Sequence, residues 1–393
     1  MGEEVRSQES DVRSRKPEAG SRKISSILLL SLLMLGCLDP YQPPTTNENT
    51  DLLVIDGHIN STDNIATVKI TRALALTNAK AYPPETSAQV AIEDEKGNAV
   101  KLIEAAKGTY SISRTFNPDV RHRLKIITKG KEYVSEFIKL MKNSDIDSLN
   151  WQADQNKLVI SAYTHDNAPG AKYYRYAYDE THQYTARNIS SFKLVNGVAV
   201  DRSASEYMFV CWVTKPSAPI LLASTENLRE NFVAGFPVIN ISRGDRRLWI
   251  KYSALVRQYS IDKEAYEYWL QMRKTTESLG SLFDPLPYQI KGNLKSTSDP
   301  EESVLGYFSG GDVTKKRITI TNYTMPAGYW GVQQKCQEDY TKVADLKTLD
   351  ARINVLTVPE VVGITVVGYY HTTHSCTDCR LEGGTVIKPD FIN

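Results

Sequence analysis

The feature that most constrains this fold is period-two alternation, repeated in short runs between turn residues. In "ATVKITRAL", Val68 and Ile70 fall on one face while Thr67, Lys69 and Thr71 fall on the other, the pattern of a strand with one buried side. "AQVAIEDEKGNAVKLIE" repeats it through Ala88, Val90 and Ile92, turns at Glu95-Lys96-Gly97-Asn98 and returns through Val100 and Leu102, which is a hairpin. "GTYSIS", "HRLKIIT" and "YVSEFIK" follow, so about seven strands are predicted within residues 51–142. Close spacing and single apolar faces point to an antiparallel β-sandwich.

A second β-rich region is predicted over residues 143–393, through "KLVISAYT", "AKYYRYAYDE", "EYMFVCWVT", "NFVAGFPVINIS" and "RRLWIKYSALVRQYS". Tyr174, Tyr176 and Tyr178 share one strand face, with Tyr173 and Arg175 on the other. Such a row reads as core or cross-strand stacking in preference to a sugar platform. One amphipathic helix is predicted over 261–279, with Ser260 as N-cap, Asp262 and Glu264 at the positive end of the dipole, and Gly280 as its stop. Ala265, Tyr268, Trp269, Met272, Thr276 and Leu279 recur at helical spacing, so one side should pack on a sheet. Beyond Tyr329 the chain reads as irregular, with "LTVP" and "VVGITVVGYY" as its last apolar runs. The Ala88-x-Val90-x-Ile92-x-Asp94-x-x-Gly97 run, followed by Gly108-Thr109-Tyr110, resembles transthyretin-like immunoglobulin-type domains. The predicted architecture is therefore mainly β: an immunoglobulin- or transthyretin-like sandwich, then a fibronectin-III-like one, with one packed helix.

The N-terminal region has a different grammar. The apolar run from Ile24 to Leu35 is about 12 residues long, short of the roughly 20 that a helix needs to span a bilayer. Arg22 and Lys23 precede it and small Gly36 follows, so residues 1–36 read as a signal peptide. Leu33-Met34-Leu35-Gly36-Cys37 resembles a bacterial lipobox, which implies cleavage before Cys37 and acylation of its thiol and new amino terminus. Residues 37–50, with Pro40, Pro43, Pro44 and "TTNENT", read as a solvated tether. Several acyl chains on one residue give lasting attachment where one alone is marginal. Leu38 stands where an Asp would retain a lipoprotein in the inner membrane, so the outer membrane is the expected location.

Charge and chemistry narrow the function. With 47 Lys+Arg against 46 Asp+Glu, no global field favours nucleic acid as a partner. The local cluster Arg243-Gly244-Asp245-Arg246-Arg247 reads as a solvated strand end and not as an anion site. Five cysteines become an even set once Cys37 is lipidated, leaving Cys211, Cys336, Cys376 and Cys379 to form two disulfides in an oxidising compartment, with three connectivities open. A strained Cys376–Cys379 bridge is disfavoured against pairing of each with Cys211 or Cys336. His371, His374, Cys376 and Cys379 have the donor types of a zinc site, but zinc ligands come as two pairs separated by a longer loop, and these are crowded together. Cys376-x-x-Cys379 sits in turn-rich chain and lacks the helical setting of a redox pair. Neither a nucleophile elbow, a His-Glu-x-x-His helix nor a phosphate loop occurs. No metal, cofactor or catalytic residue is therefore expected, and a ligand site is left unassigned.

Several segments together resemble a lipoprotein family of the Bacteroidota known as a domain of unknown function, DUF4249. They are "CLDPYQPP", "YYRYAY", "KYSALVRQYSIDKEAYEYWLQMRKTTESLGSLFDPLP", "GNLKSTSDPEESVLGYFSG" and "CTDCRLEGGTVIKPDF". Genes of this family often lie beside TonB-dependent outer-membrane receptors. The resemblance thus implies a lipid-anchored, non-catalytic accessory or binding subunit of such a receptor, on either face of the outer membrane. The competing expectations are an envelope hydrolase with an unrecognised site and a structural or adhesive surface protein.

Overall fold

The alternation in the first region becomes two five-stranded sheets packed face to face. The computed structural model describes residues 52–392 except 74–82, 143, 166–170, 278–289, 330 and 332–333. The predicted signal peptide, Cys37, the predicted tether and the C-terminal end of the predicted helix, including Leu279 and Gly280, lie outside the described residues.

The first sheet runs, in spatial order, Val304–Gly311, Leu53–Asn60, Ile65–Arg72, Thr109–Ser113, Ile103–Ala106. The second runs Leu294–Ser296, Lys131–Ser135, His122–Thr128, Gln89–Asp94, Ala99–Lys101. Ile55, Ile59, Val68, Ile70 and Phe308 from one meet Val90, Ile92, Leu124, Ile126 and Tyr133 from the other. Burying side chains of this size contributes about 1.5 to 3 kcal/mol each. The Gln89–Asp94 hairpin turns where expected: Asp94 accepts from the N–H groups of Lys96 and Asn98, and Gly97 takes φ +89°. Tyr110 closes the base of this sandwich, donating to the Glu85 carbonyl and accepting from the Ala88 N–H, both at 2.9 Å.

Both sheets take an edge strand from far along the chain. Val304–Gly311 runs parallel to Leu53–Asn60, Leu53 opposite Val304 and Asn60 opposite Gly311. Gly306 permits this pairing. It sits at φ +119°, and a Cβ there would lie 1.8 Å from the Ile55 carbonyl oxygen.

The second sandwich packs a three-stranded sheet, Phe232–Ser242, Lys157–His165, Ser148–Ala153, on a larger one. The larger runs Val210–Pro216, Tyr173–Thr185, Lys251–Ile261, Val313–Thr321, with Leu221–Ser224 also paired to Tyr173–Thr185. Tyr174, Tyr176 and Tyr178 lie in its core with Leu158, Ile160, Ile239 and Val256. Only Asp312 separates Val304–Gly311, in the first sandwich, from Val313–Thr321, in the second.

Two sequence expectations need correction. The helix starts at Lys263, in Lys263–Glu277, because Ser260 and Ile261 still belong to the preceding strand. Asp262 is the residue that caps it, its carboxylate accepting from the Ala265 N–H at 2.8 Å. Ala265 and Tyr268 bury the expected face against Tyr173, Leu222 and Tyr307. The chain beyond Tyr329 contains a three-stranded sheet, ordered Asp339–Lys342, Thr365–Thr373, Asn354–Val362. A hairpin, Phe192–Val195 with Val198–Asp201, covers it through Phe192 and Leu194 against Leu356 and Tyr369. Its strands carry apolar residues on both faces near the tip, which hides the period of two. Among the described residues no helix is long and apolar enough to cross a membrane.

Candidate functional site

The four cysteines that the sequence leaves for disulfides pair as Cys211–Cys379 and Cys336–Cys376. Each member of the Cys-x-x-Cys run thus has its partner elsewhere, and neither offers a thiolate to a metal or to exchange. His371 contacts the Thr341 hydroxyl through Nε2 at 3.0 Å, and His374 contacts the Ala351 carbonyl at 3.3 Å. The crowded "HTTHSCTDC" segment is therefore a junction and not a ligand cage.

That junction is built around Asn188, which is buried. Its backbone N–H donates to the Cys376 carbonyl at 2.9 Å, its side-chain oxygen accepts from the Cys336 N–H at 2.8 Å, and its amide donates to the Cys336 carbonyl at 3.2 Å. One residue thus joins both segments linked by the second disulfide, its backbone on Cys376 and its side chain on Cys336. The first disulfide, with the backbone pair Trp212–Thr385 at 2.8 and 2.9 Å, fastens the C-terminal turn to the larger sheet of the second sandwich. Tyr184 adds a hydrogen bond to the Cys379 carbonyl at 2.8 Å.

The arginine cluster is spent on the same region. Arg247 bonds Asp245 and Glu180, Arg246 pairs with Glu382 and lies over the Tyr184 ring, and Arg243 donates to the Gly328 carbonyl. Asp245 caps a short turn at Arg246–Leu248. The expected solvated strand end is thus a half-buried turn in which Arg246 and Arg247 are held in ion pairs.

At one point the braced module presents an apolar surface outward. The tip of the hairpin between Asn354–Val362 and Thr365–Thr373 exposes Val361, Val362 and Ile364, with Ile364 at 102% relative exposure. Asn354–Val362 is also the edge strand of its sheet; Ser190 and Ser191 donate to the Leu356 and Thr357 carbonyls, and among the described residues no strand pairs with its outer side toward the tip. An exposed apolar edge is a template for pairing with another chain.

A second candidate lies where the two sandwiches meet: a pocket of about 270 Å³ lined by Asp56, His58, Thr67, Arg175 and Tyr259 among others. The strand Leu53–Asn60 turns Ile55 and Ile59 into its own core, which leaves Asp56 and His58 on the outer face. His58 Nδ1 is 3.0 Å from the Ser309 hydroxyl, and its ring meets Tyr259 edge-on at 5.2 Å. Burial, with the Arg175 charge adding to it, pushes the imidazole down to about 3, so it is neutral at physiological pH. No local sequence pattern marks this pocket. Its residues come from strands more than a hundred positions apart, and Arg175 was visible only as the far side of the tyrosine row.

The molecule is thus a two-sandwich β protein carrying a small C-terminal sheet held by two disulfides. The chain belongs to the family described as Domain of unknown function (DUF4249), which matches residues 38–317. The matched span covers both sandwiches and the helix, and ends within Val313–Thr321, before Cys336, Cys376 and Cys379. No curated protein matches the sequence.

Proposed function

We propose that this protein is a lipid-anchored lipoprotein of the outer membrane that works by binding, as a non-catalytic accessory subunit of a TonB-dependent receptor. The lipobox-like Leu33-Met34-Leu35-Gly36-Cys37 and the polar tether after it support the anchor. The observation that carries the binding reading is the braced hairpin, which holds Val361, Val362 and Ile364 in solvent on a module closed by two disulfides. A soluble domain gains nothing from such a tip, whereas a partner that covers it gains the burial of three aliphatic side chains. Anchoring in the same membrane as the partner raises the effective concentration, so a modest contact suffices.

Expression in a lipoprotein-processing host, followed by cross-linking and identification of the captured proteins, tests this. The anchored protein is expected to recover a TonB-dependent receptor. Cys37→Ser should release the protein to the soluble fraction and reduce recovery. Val362→Asp with Ile364→Asp should reduce recovery while leaving the protein anchored and its melting temperature unchanged. Recovery of no receptor, with hydrolysis of a defined envelope substrate by the purified soluble form, would replace this reading with the hydrolase one.

A further inference from the structure

The pocket between the sandwiches holds two opposite charges that do not neutralise each other. Asp63 is already spent there, paired with Lys315 and accepting from the Asn60 amide. What remains is the Asp56 carboxylate and the Arg175 guanidinium, neither of which has an ion pair or side-chain hydrogen bond among the described residues. Arg175 is nevertheless held in place. Its guanidinium carbon lies 4.2 Å from the Trp269 ring centroid and 5.2 Å from that of Tyr259, its direct cross-strand partner. The two rings hold the guanidinium through cation–π contact and take none of its N–H groups as acceptors, which leaves those groups for a carboxylate to bind in bidentate fashion. Asp56, by contrast, is exposed. His58, also in the lining, has a buried ring nitrogen, Nε2, with no hydrogen-bond partner among the described residues.

A pocket that is neutral in sum but keeps one carboxylate and one guanidinium open complements a molecule carrying one charge of each sign. Its size of about 270 Å³ restricts the occupant to a compact molecule. We propose that this pocket binds a free α-amino acid as its zwitterion, the carboxylate on the N–H edge of Arg175 and the ammonium on the carboxylate of Asp56. The proposal does not rest on the receptor reading, which concerns the C-terminal hairpin, and either can fail without the other.

Isothermal titration of the full mature chain with glycine, L-alanine and L-leucine, against acetate and methylammonium as single-charge probes, tests it. At least one amino acid should bind, and acetate and methylammonium should each bind about tenfold more weakly or worse, since each lacks one charge-assisted contact. Asp56→Asn should bring the amino acid down to the affinity of acetate, and Arg175→Met should abolish acetate binding and bring the amino acid down to the affinity of methylammonium. Because Asp56 is exposed, its substitution leaves the fold intact, and it decides the matter alone if the Arg175 variant does not fold. Absence of binding by all three amino acids at millimolar concentration, equal affinity for acetate, or an Asp56→Asn protein that binds the amino acid as tightly as before would overturn the proposal.

Discussion

Asn293 donates to the Phe308 carbonyl at 2.7 Å and accepts from the Phe308 N–H at 2.8 Å, so one side chain supplies both bonds that a neighbouring strand would have made. Val304–Gly311 is the edge of its sheet, and this is how its buried backbone is satisfied at Phe308, while Met141 donates to the Gly310 carbonyl further along. Glu85 is a buried carboxylate of the same sandwich, held by side chains. Burial pushes its carboxyl up, but hydrogen bonds from Arg72, Thr128 and Lys129 outweigh that and hold it at about 2. Two histidines respond in the same direction to acid. His58 is pushed down to about 3, and His182 to about 4, mainly by burial. Both have an ordinary value of 6.5, so between 6.5 and those folded values the unfolded chain binds protons that the folded chain does not. Stability should therefore be full above that range and fall as pH drops through it, with Glu85 adding a further loss below its ordinary 4.5. Melting temperatures across this range should decline steadily. The double variant His58→Gln, His182→Gln should flatten the upper part of the decline and leave the carboxylate part. A wild-type melting temperature that stays level from neutral pH down to 5 would contradict the assignment.

At the scale of elements, what was legible depended on how clean each pattern was. Val68, Ile70, Val90 and Ile92 alternate with polar residues, and their strands were readable with no tertiary information. The Phe192–Val195 hairpin carried a comparable signal that the sequence reading passed over: Asn196 and Gly197 adopt φ +51° and +79°, as a two-residue primed turn requires. The C-terminal strands were obscured because Val361, Val362 and Ile364 put apolar side chains where a soluble sheet would place polar ones. The start of the helix was misplaced because Ser260 and Asp262 are both good caps, and only the pairing of Ser260 with Tyr174 in the sheet chooses between them. The disulfides hold this obscured region. Cys336–Cys376 closes 40 residues and Cys211–Cys379 closes 168. Loops of such length correspond to about 4 to 5 kcal/mol each in a chain-entropy treatment, with less than the sum when both are cut because one loop lies inside the other. The pair Cys336→Ser, Cys376→Ser is expected to loosen the segment from 334 to 392 while both sandwiches stay folded. Limited proteolysis should then cut within this segment first, and Tyr174 and Phe308 should remain in protected fragments. Simultaneous loss of all protection would mean that the module is not separable from the sandwiches.

At the scale of the whole molecule, the least legible property is that the first sandwich is not finished by its own stretch of sequence. Its strands from Leu53 to Ser135 were readable, but nothing in "LVIDGHIN" tells that its parallel neighbour is "VLGYFSGG", some 250 residues later. Pairing at such separation depends on a surface that exists only after both parts have folded, so no local pattern reports it. The physical stake is large. Phe308 and Leu294 belong to the core of the first sandwich, Phe308 with no exposed surface, and Gly306 is shaped for the Ile55 carbonyl alone. A fragment of residues 52–142 would expose the flank of Leu53–Asn60 and the space that Phe308 fills. Removing a buried Phe side chain costs about 3 to 5 kcal/mol in other cores, a large part of the roughly 5 to 15 kcal/mol that holds a domain together. The fragment is therefore expected to be unfolded or aggregated in solution, with no cooperative melting transition. A longer chain, residues 52–321, includes Leu294–Ser296, Val304–Gly311 and the strand Val313–Thr321, and should melt cooperatively. Within that longer chain, Gly306→Val should reproduce the failure of the short fragment, because a side chain cannot be placed against the Ile55 backbone without parting the two strands. Circular dichroism melts of the three proteins decide it: a 52–142 fragment that unfolds cooperatively, as the longer chain is expected to, would mean that the long-range strands decorate the first sandwich and do not complete it.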